Sequence, residues 1–233
     1  MPIEIDHSGK NVVVTGAGAG IGRSIASLFA QAGANVAVLD KRADKAQETV
    51  ELMVALNQGS FFSIVGDARE ENQIERMFDE SSEKLGGIDI AVNNIGMLGP
   101  EGTASLLEMD EKKWRDVIEQ NLLVTALSMK SEAKHMSKTE SGVIINVSSG
   151  ETTRPSPFLA GYGAAKAGIN HLTQTAAVEF GPMGIRVLAI APGTTLTETV
   201  VDFFDDDRIS AIQQSNPLRR MSAIEDLGHL SVF

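Results

Sequence analysis

The chain has no cysteine in 233 residues. That excludes disulfides, a thiolate nucleophile and any cysteine-ligated metal. It suits a reducing compartment, so a cytoplasmic location is expected. Basic residues are also scarce: 20 Lys and Arg face 31 Asp and Glu, a formal net charge of −11. A nucleic-acid partner, whose phosphates such a surface would repel, is not expected. Apolar runs of bilayer-spanning length are missing, and no membrane partner is expected. The opening residues Met1-Pro2-Ile3-Glu4-Ile5-Asp6 lack the basic-then-apolar order of a secretory leader. The four histidines, His7, His135, His171 and His229, share no spacing that would gather them on an ion, so no metal site is expected. Tyrosine occurs once, at Tyr162.

What remains is a regular alternation. Short runs rich in Val and Ile, at 11–15, 35–39, 61–65, 88–92, 143–147 and 186–190, read as strands buried on both faces. Amphipathic stretches near 21–32, 43–57, 70–85, 110–137 and 162–181 read as helices between them. This pattern predicts an α/β fold, a doubly wound parallel sheet of Rossmann type with ligands at the carboxyl ends of the strands. With no repeat, linker or composition break, residues 1–233 form one expected domain. The stretch from Thr194 to Met221 lacks strand character and combines Val200, Val201, Phe203 and Phe204 with the acids Asp205, Asp206 and Asp207. It is a candidate lid over the site.

The first strand runs into Thr15-Gly16-Ala17-Gly18-Ala19-Gly20-Ile21-Gly22 and then a helix. Glycines are needed where a chain turns tightly and where backbone must approach a pyrophosphate. The helix that follows offers free N–H groups and a partial positive charge. Gly16, Ala19, Gly20, Ile21 and Gly22 are therefore candidate phosphate contacts, although structural turns use the same residues. Asp40 closes the second strand, where a dinucleotide fold places an acid on the adenosine ribose, and Lys41 follows it.

These residues resemble the short-chain dehydrogenases/reductases. The likeness runs from about Gly9 to the end of the chain. Besides the glycine turn, it includes Asp67 and Ala68, Asn93-Asn94-Ile95-Gly96, Asn121, Ser148-Ser149, Tyr162-Gly163-Ala164-Ala165-Lys166, and Pro192-Gly193-Thr194-Thr195-Leu196-Thr197. The resemblance implies an NAD cofactor. Asp67 and Ala68 would lie at the adenine, and Asn94, Ile95 and Gly96 along the adenosine side of the cleft. Pro192, Gly193, Thr195 and Thr197 would lie by the nicotinamide carboxamide. It also implies a tetrad of Asn121, Ser149, Tyr162 and Lys166, with Tyr162 and Lys166 touching cofactor as well. Ser149 is preferred to Ser148 because it stands thirteen residues before Tyr162, as in several relatives. The chain departs from the family at Ile95, where Ala is usual, and at Leu188, where Asn is frequent. The family's final parallel strand is expected to be missing after Phe233.

The chemistry suits those residue types. Lys166, four residues after Tyr162, shares its helix face. An ammonium there is expected to favour phenolate and to bring Tyr162 toward the working pH as general acid/base. Ser149 would hold the substrate oxygen, and Asn121 a water that carries the proton outward. A Tyr–Lys pair on a helix is ordinarily a surface pair, but this one is the chain's only tyrosine. The expected function is NAD-dependent interconversion of a small-molecule secondary alcohol and ketone. A 3-oxoacyl-carrier-protein reductase and a non-catalytic NAD-binding protein are the alternatives. Met97, Leu98, Phe158, Phe203 and Phe204 are equally readable as pocket or as core. A homodimer or homotetramer is expected by family resemblance.

Overall fold

The computed structural model describes residues 5–98 and 103–233; residues 1–4 and 99–102, with part of the loop expected at 97–105, lie outside it, as does the side chain of Phe203. Six strands, β1 (Asn11–Thr15), β2 (Asn35–Asp40), β3 (Phe61–Val65), β4 (Ile90–Asn93), β5 (Gly142–Val147) and β6 (Ile185–Ile190), form one sheet in the order β3-β2-β1-β4-β5-β6, every pair parallel. The order reverses between β1 and β4, so the crevice for a ligand opens beyond their carboxyl ends.

Alternation within the strands explains the two layers. Val12 and Val14 face one side, where α1 (Gly20–Gln31), α2 (Ala43–Leu56) and α9 (Ile224–Val232) contribute Ile25, Phe29, Met53 and Val232. Val13 faces the other, among Ile74 and Phe78 of α3 (Glu71–Leu85), Met129 and Met136 of α5 (Val124–Met136), and Ala176 of α6 (Ala160–Phe180). Strands covered on both faces must be apolar at successive positions.

The long helix expected at 110–137 is broken. α4 (Glu111–Ile118) passes through a π-helical turn at Glu119–Leu123 before α5 begins, and Asn121 lies in that turn. The segment beyond β6 contains two helices, α7 (Glu198–Phe203) and α8 (Asp206–Ser215). Asp205 is the N-cap of α8, accepting from the N–H of Arg208 at 2.8 Å, while Asp206 and Asp207 lie in its first turn. The acidic run therefore has a local cause: it satisfies free N–H groups and the positive end of a helix. β6 pairs with β5 alone among the described residues, and Leu188 on it is 45% exposed. No helix of the described residues is long and apolar enough to cross a membrane.

Candidate active site

The glycine turn sits between β1 and α1 at the crevice. Gly16 and Gly20 have φ of 62° and 53°, a left-handed backbone that disfavours side chains. No side chain caps the start of α1, so its first N–H groups point outward with no partner from the helix itself. A Cβ on Gly18 would lie 2.7 Å from Asp40 Oδ2, the atom that accepts the Gly18 N–H at 2.9 Å. Asp40 Oδ1 accepts from the N–H of Arg42 at 3.0 Å and from its Nε at 3.3 Å. The buried carboxylate is thus fixed beside the turn, as a ribose acceptor must be. Lys41 is exposed.

Asn94 closes the other wall. Its Nδ2 donates to the carbonyls of Thr15 and Gly16 at 3.3 and 3.1 Å, and its N–H to Thr15 Oγ1 at 3.1 Å. A Cβ on Gly22 would overlap the Gly16 carbonyl and Asn94 Nδ2, so α1 can pack here only as glycine. Thr197 Cγ2 lies 3.6 Å from the Cβ position of Gly20, so the 192–197 segment crosses the turn, with Thr197 also capping α7. Asp67 accepts from the N–H of Arg69 at 3.0 Å, and its own N–H is held by Gln73 Oε1 at 2.9 Å. Ala68 is buried beside it. An open glycine cradle, uncapped helix N–H groups and a fixed acid are what a dinucleotide requires.

Gly96 ties this cradle to the tetrad. A Cβ there would lie 2.6 Å from Asn121 Oδ1 and 2.7 Å from Lys166 Nζ, which brings both polar atoms to one point. Asn121 is fully buried, its Nδ2 donating to the carbonyls of Met97 and Val117, each at 2.9 Å. Its Oδ1 has no partner among the described residues. Lys166 is 2% exposed, donates to the Val147 carbonyl at 2.8 Å, and stands 5.7 Å from the centre of the Tyr162 ring. The adjacent serines part ways: Ser148 Oγ donates inward to the Lys166 carbonyl at 3.2 Å, whereas Ser149 Oγ accepts the N–H of Glu151 at 3.2 Å and lies close enough to Tyr162 to act on its phenol. Asn121, Lys166 and Tyr162 are therefore neighbours, with Ser149 on the Tyr162 side.

The electrostatics differ from the expectation. Burial pushes the Tyr162 phenol above its ordinary value; the hydrogen bond from Ser149 opposes this, and the Glu151 charge adds to it. Burial also brings Lys166 down to about 8. The expected lowering of Tyr162 by Lys166 is absent. Its ammonium is turned to the Val147 carbonyl, and loss of solvent outweighs a charge at that distance. Phe158 and Met97 are 61% and 53% exposed, so neither is core. Phe158 adopts φ of 67°, its carbonyl held by the N–H of Ala104 at 3.0 Å.

The sequence profile of the short chain dehydrogenases matches residues 10–208. Glucose 1-dehydrogenase 2 of Bacillus subtilis is 38% identical over 200 residues, covering 84% of this chain and 76% of that protein. A 3-oxoacyl-(acyl-carrier-protein) reductase of Staphylococcus epidermidis is 35% identical, covering 96% and 90%. The structure of a 7α-hydroxysteroid dehydrogenase complexed with NADH and 7-oxo glycochenodeoxycholic acid superposes with a TM-score of 0.93 at 32% identity, over 99% of this chain and 88% of that one. The chain belongs to the short-chain dehydrogenase family. It is an oxidoreductase of CH–OH groups.

Two features of this short-chain dehydrogenase escaped the sequence reading. Glu151, beside Tyr162, sits in a loop without periodicity, and only its place two residues after Ser149 could have drawn notice to it. Glu132 is fully buried on α5. The visible signal was an acid within the four-residue series Val124, Ser128, Glu132, Met136, a stripe that otherwise carries no charge.

Proposed function

We propose that the chain is an NAD-dependent dehydrogenase that interconverts a small-molecule secondary alcohol and its ketone, with Tyr162 as general acid/base. The observation that carries this reading is the convergence of Tyr162, Ser149, Lys166 and Asn121 at the mouth of the glycine cradle. When bound, the nicotinamide accepts or returns the hydride. Tyr162 would exchange the hydroxyl proton with the substrate oxygen, which Ser149 holds. Lys166 Nζ and Asn121 Oδ1, brought together at Gly96, would hold a water that passes that proton outward. A phenol raised by burial is a ready donor, so reduction should be favoured at neutral pH and oxidation in alkali.

NAD is preferred because Asp40 would repel a 2′-phosphate. Like charges about 4 Å apart at an effective dielectric near 20 repel by about 4 kcal/mol. Arg42, paired with Asp40, offsets part of this. The same acid argues against an NADPH-dependent acyl reductase. One catalytic domain over 1–233, a homo-oligomer and a cytoplasmic setting complete the proposal.

Tyr162→Phe tests it. Turnover should fall by roughly three orders of magnitude while NADH binding persists, and wild-type kcat/KM should favour NAD(H). An active Phe variant, or a preference for NADP(H), overturns the respective part.

A further inference from the structure

The loop after Ser149 carries an acid that the reaction above does not use. The N–H of Glu151 donates to Ser149 Oγ at 3.2 Å. Its carboxylate is gripped on both oxygens, by Arg154 Nη2 on Oε1 at 3.0 Å and by Ser156 Oγ on Oε2. The Glu151 side chain retains 18% exposure, against 63% for Arg154. Its carbonyl lies 4.0 Å from the Cβ position of Gly163, next to Tyr162, so the loop packs on the first turn of α6.

We propose that Glu151 is a specificity-determining residue: its clamped carboxylate accepts a hydrogen bond from a hydroxyl on the carbon beside the reacting one and turns away substrates carrying an anion there. This rests on the alcohol–ketone reading, and its substrates are vicinal diols and the α-hydroxy ketones they become. The hydride leaves the carbinol carbon for the nicotinamide and the hydroxyl proton goes to Tyr162, while the neighbouring hydroxyl is unchanged.

Three points support the assignment. A carboxylate offers about four acceptor directions, and Arg154 and Ser156 take one on each oxygen, leaving capacity on a side chain still reached by solvent. The clamp removes rotamer freedom beforehand, so a ligand hydrogen bond does not have to order the acid. Partial burial works against ionisation of Glu151, but the bonds from Ser156 and Arg154 prevail and hold it below the usual carboxylate range. The Glu151 N–H on Ser149 Oγ and its carbonyl beside Gly163 place the residue next to Tyr162 at the reacting end of the crevice, and its charge adds to the raising of that phenol. Lys166 on α6 stands 5.7 Å from the centre of the Tyr162 ring, and Arg154 is paired with Glu151 itself.

The experiment compares wild type with Glu151→Gln and Glu151→Ala, using cyclohexanol, cis-1,2-cyclohexanediol and 2-hydroxycyclohexanecarboxylate. Wild-type kcat/KM should favour the diol over the simple alcohol by roughly tenfold, the scale of a charged hydrogen bond. The Gln variant should lose most of that ratio and accept the carboxylate better. Calorimetric affinities for the enzyme–NADH complex give the same comparison without turnover. The phenolate absorbance of the chain's only tyrosine should titrate at lower pH in both variants. An unchanged diol ratio, or equal wild-type affinity for diol and simple alcohol, overturns the proposal. If no alcohol is turned over but the affinities behave as stated, the alcohol–ketone reading fails and the role of Glu151 in ligand selection stands. Should Glu151→Ala not fold, the isosteric Gln variant carries the test.

Discussion

Lys166 and Glu132 are both almost wholly removed from water, at 2% and 0% exposure, and both are moved to about 8, from opposite sides. Their surroundings separate them. Lys166 lies at the open end of the sheet, its Nζ brought beside Asn121 Oδ1 at Gly96 and its helix partner Tyr162 at the crevice. Glu132 lies between α5 and the sheet. Its Oε2 accepts from Asn93 Nδ2 at 3.1 Å, Asn93 also donates to Asn146 Oδ1 at 3.0 Å, and Asn146 donates to Thr173 Oγ1 at 2.9 Å. Glu132 Oε1, Asn93 Oδ1 and Ser128 Oγ lack partners among the described residues. A perturbed proton affinity is thus no sufficient mark of a catalytic group; access to a ligand is the second requirement, which in the proposed reading Lys166 meets and Glu132 does not.

Lys166→Met should break the comparison most sharply, because its two effects have opposite signs. Turnover should fall by roughly 10³–10⁴, the upper range for an acid–base assembly. Stability at neutral pH should rise. A lysine whose folded value is depressed to about 8 from 10.5 destabilises the fold at all pH below about 8, and this is relieved as pH climbs to 10.5. The penalty is about 3 kcal/mol, less about 1 for leaving the Val147 carbonyl without its donor. Thermal melts at pH 7 and pH 10 check the sign: the variant's advantage should shrink at the higher pH. A variant that melts earlier at pH 7 would remove the charge-burial account.

Glu132→Gln addresses the other region. The carboxyl is raised to about 8 from 4.5 by burial, with only the Asn93 bond opposing. The folded protein therefore holds a proton that the unfolded chain releases, and stability falls as pH rises from 4.5 to 8. By pH 7 the loss is about 3 kcal/mol. A neutral amide escapes it and brings two donors to a place where Asn93 Oδ1 and Ser128 Oγ lack partners. The variant should melt with wild type near pH 4.5 and above it at pH 7 to 8, with kcat/KM unchanged. A constant offset across pH, or a large loss of turnover, would show that the acid serves the site.

The same contrast explains what the residues disclosed in advance. β1 and β3 fall at 11–15 and 61–65 as read; β1 is an apolar run covered on both faces, whereas β3 at the sheet edge buries only Ile64 and shows Val65 to solvent. The glycine turn was legible because few residues tolerate that left-handed backbone, while the proposed tetrad came from the family resemblance. The π-helical turn at Glu119–Leu123 was hidden, since one extra residue per turn leaves no mark in a helical pattern as strong as the one around it. The upward displacement of Tyr162 was hidden too: helix spacing places Lys166 on its face but does not reveal that the ammonium turns to Val147.

The smallest expected effect comes from Gly96→Ala, which presses on Lys166 without touching the Glu132 network. The added carbon would stand 2.6 Å from Asn121 Oδ1 and 2.7 Å from Lys166 Nζ, both nearer than ordinary packing allows, with Lys166 Cε at 3.4 Å. Asn121 is tethered to two carbonyls and cannot yield easily. Lys166 can move, at the expense of its bond to Val147. The cost to stability should be about 1 kcal/mol, the low end for overpacking. Turnover should fall roughly tenfold, since displacement of one relay group by a fraction of an ångström misaligns proton transfer without removing it. The melting profile between pH 4.5 and 8 should follow wild type, because Glu132 is untouched. Wild-type turnover in this variant would mean that Asn121 and Lys166 need not meet at Gly96 for the reaction, and the distinction between the two buried groups would then rest on Tyr162 alone.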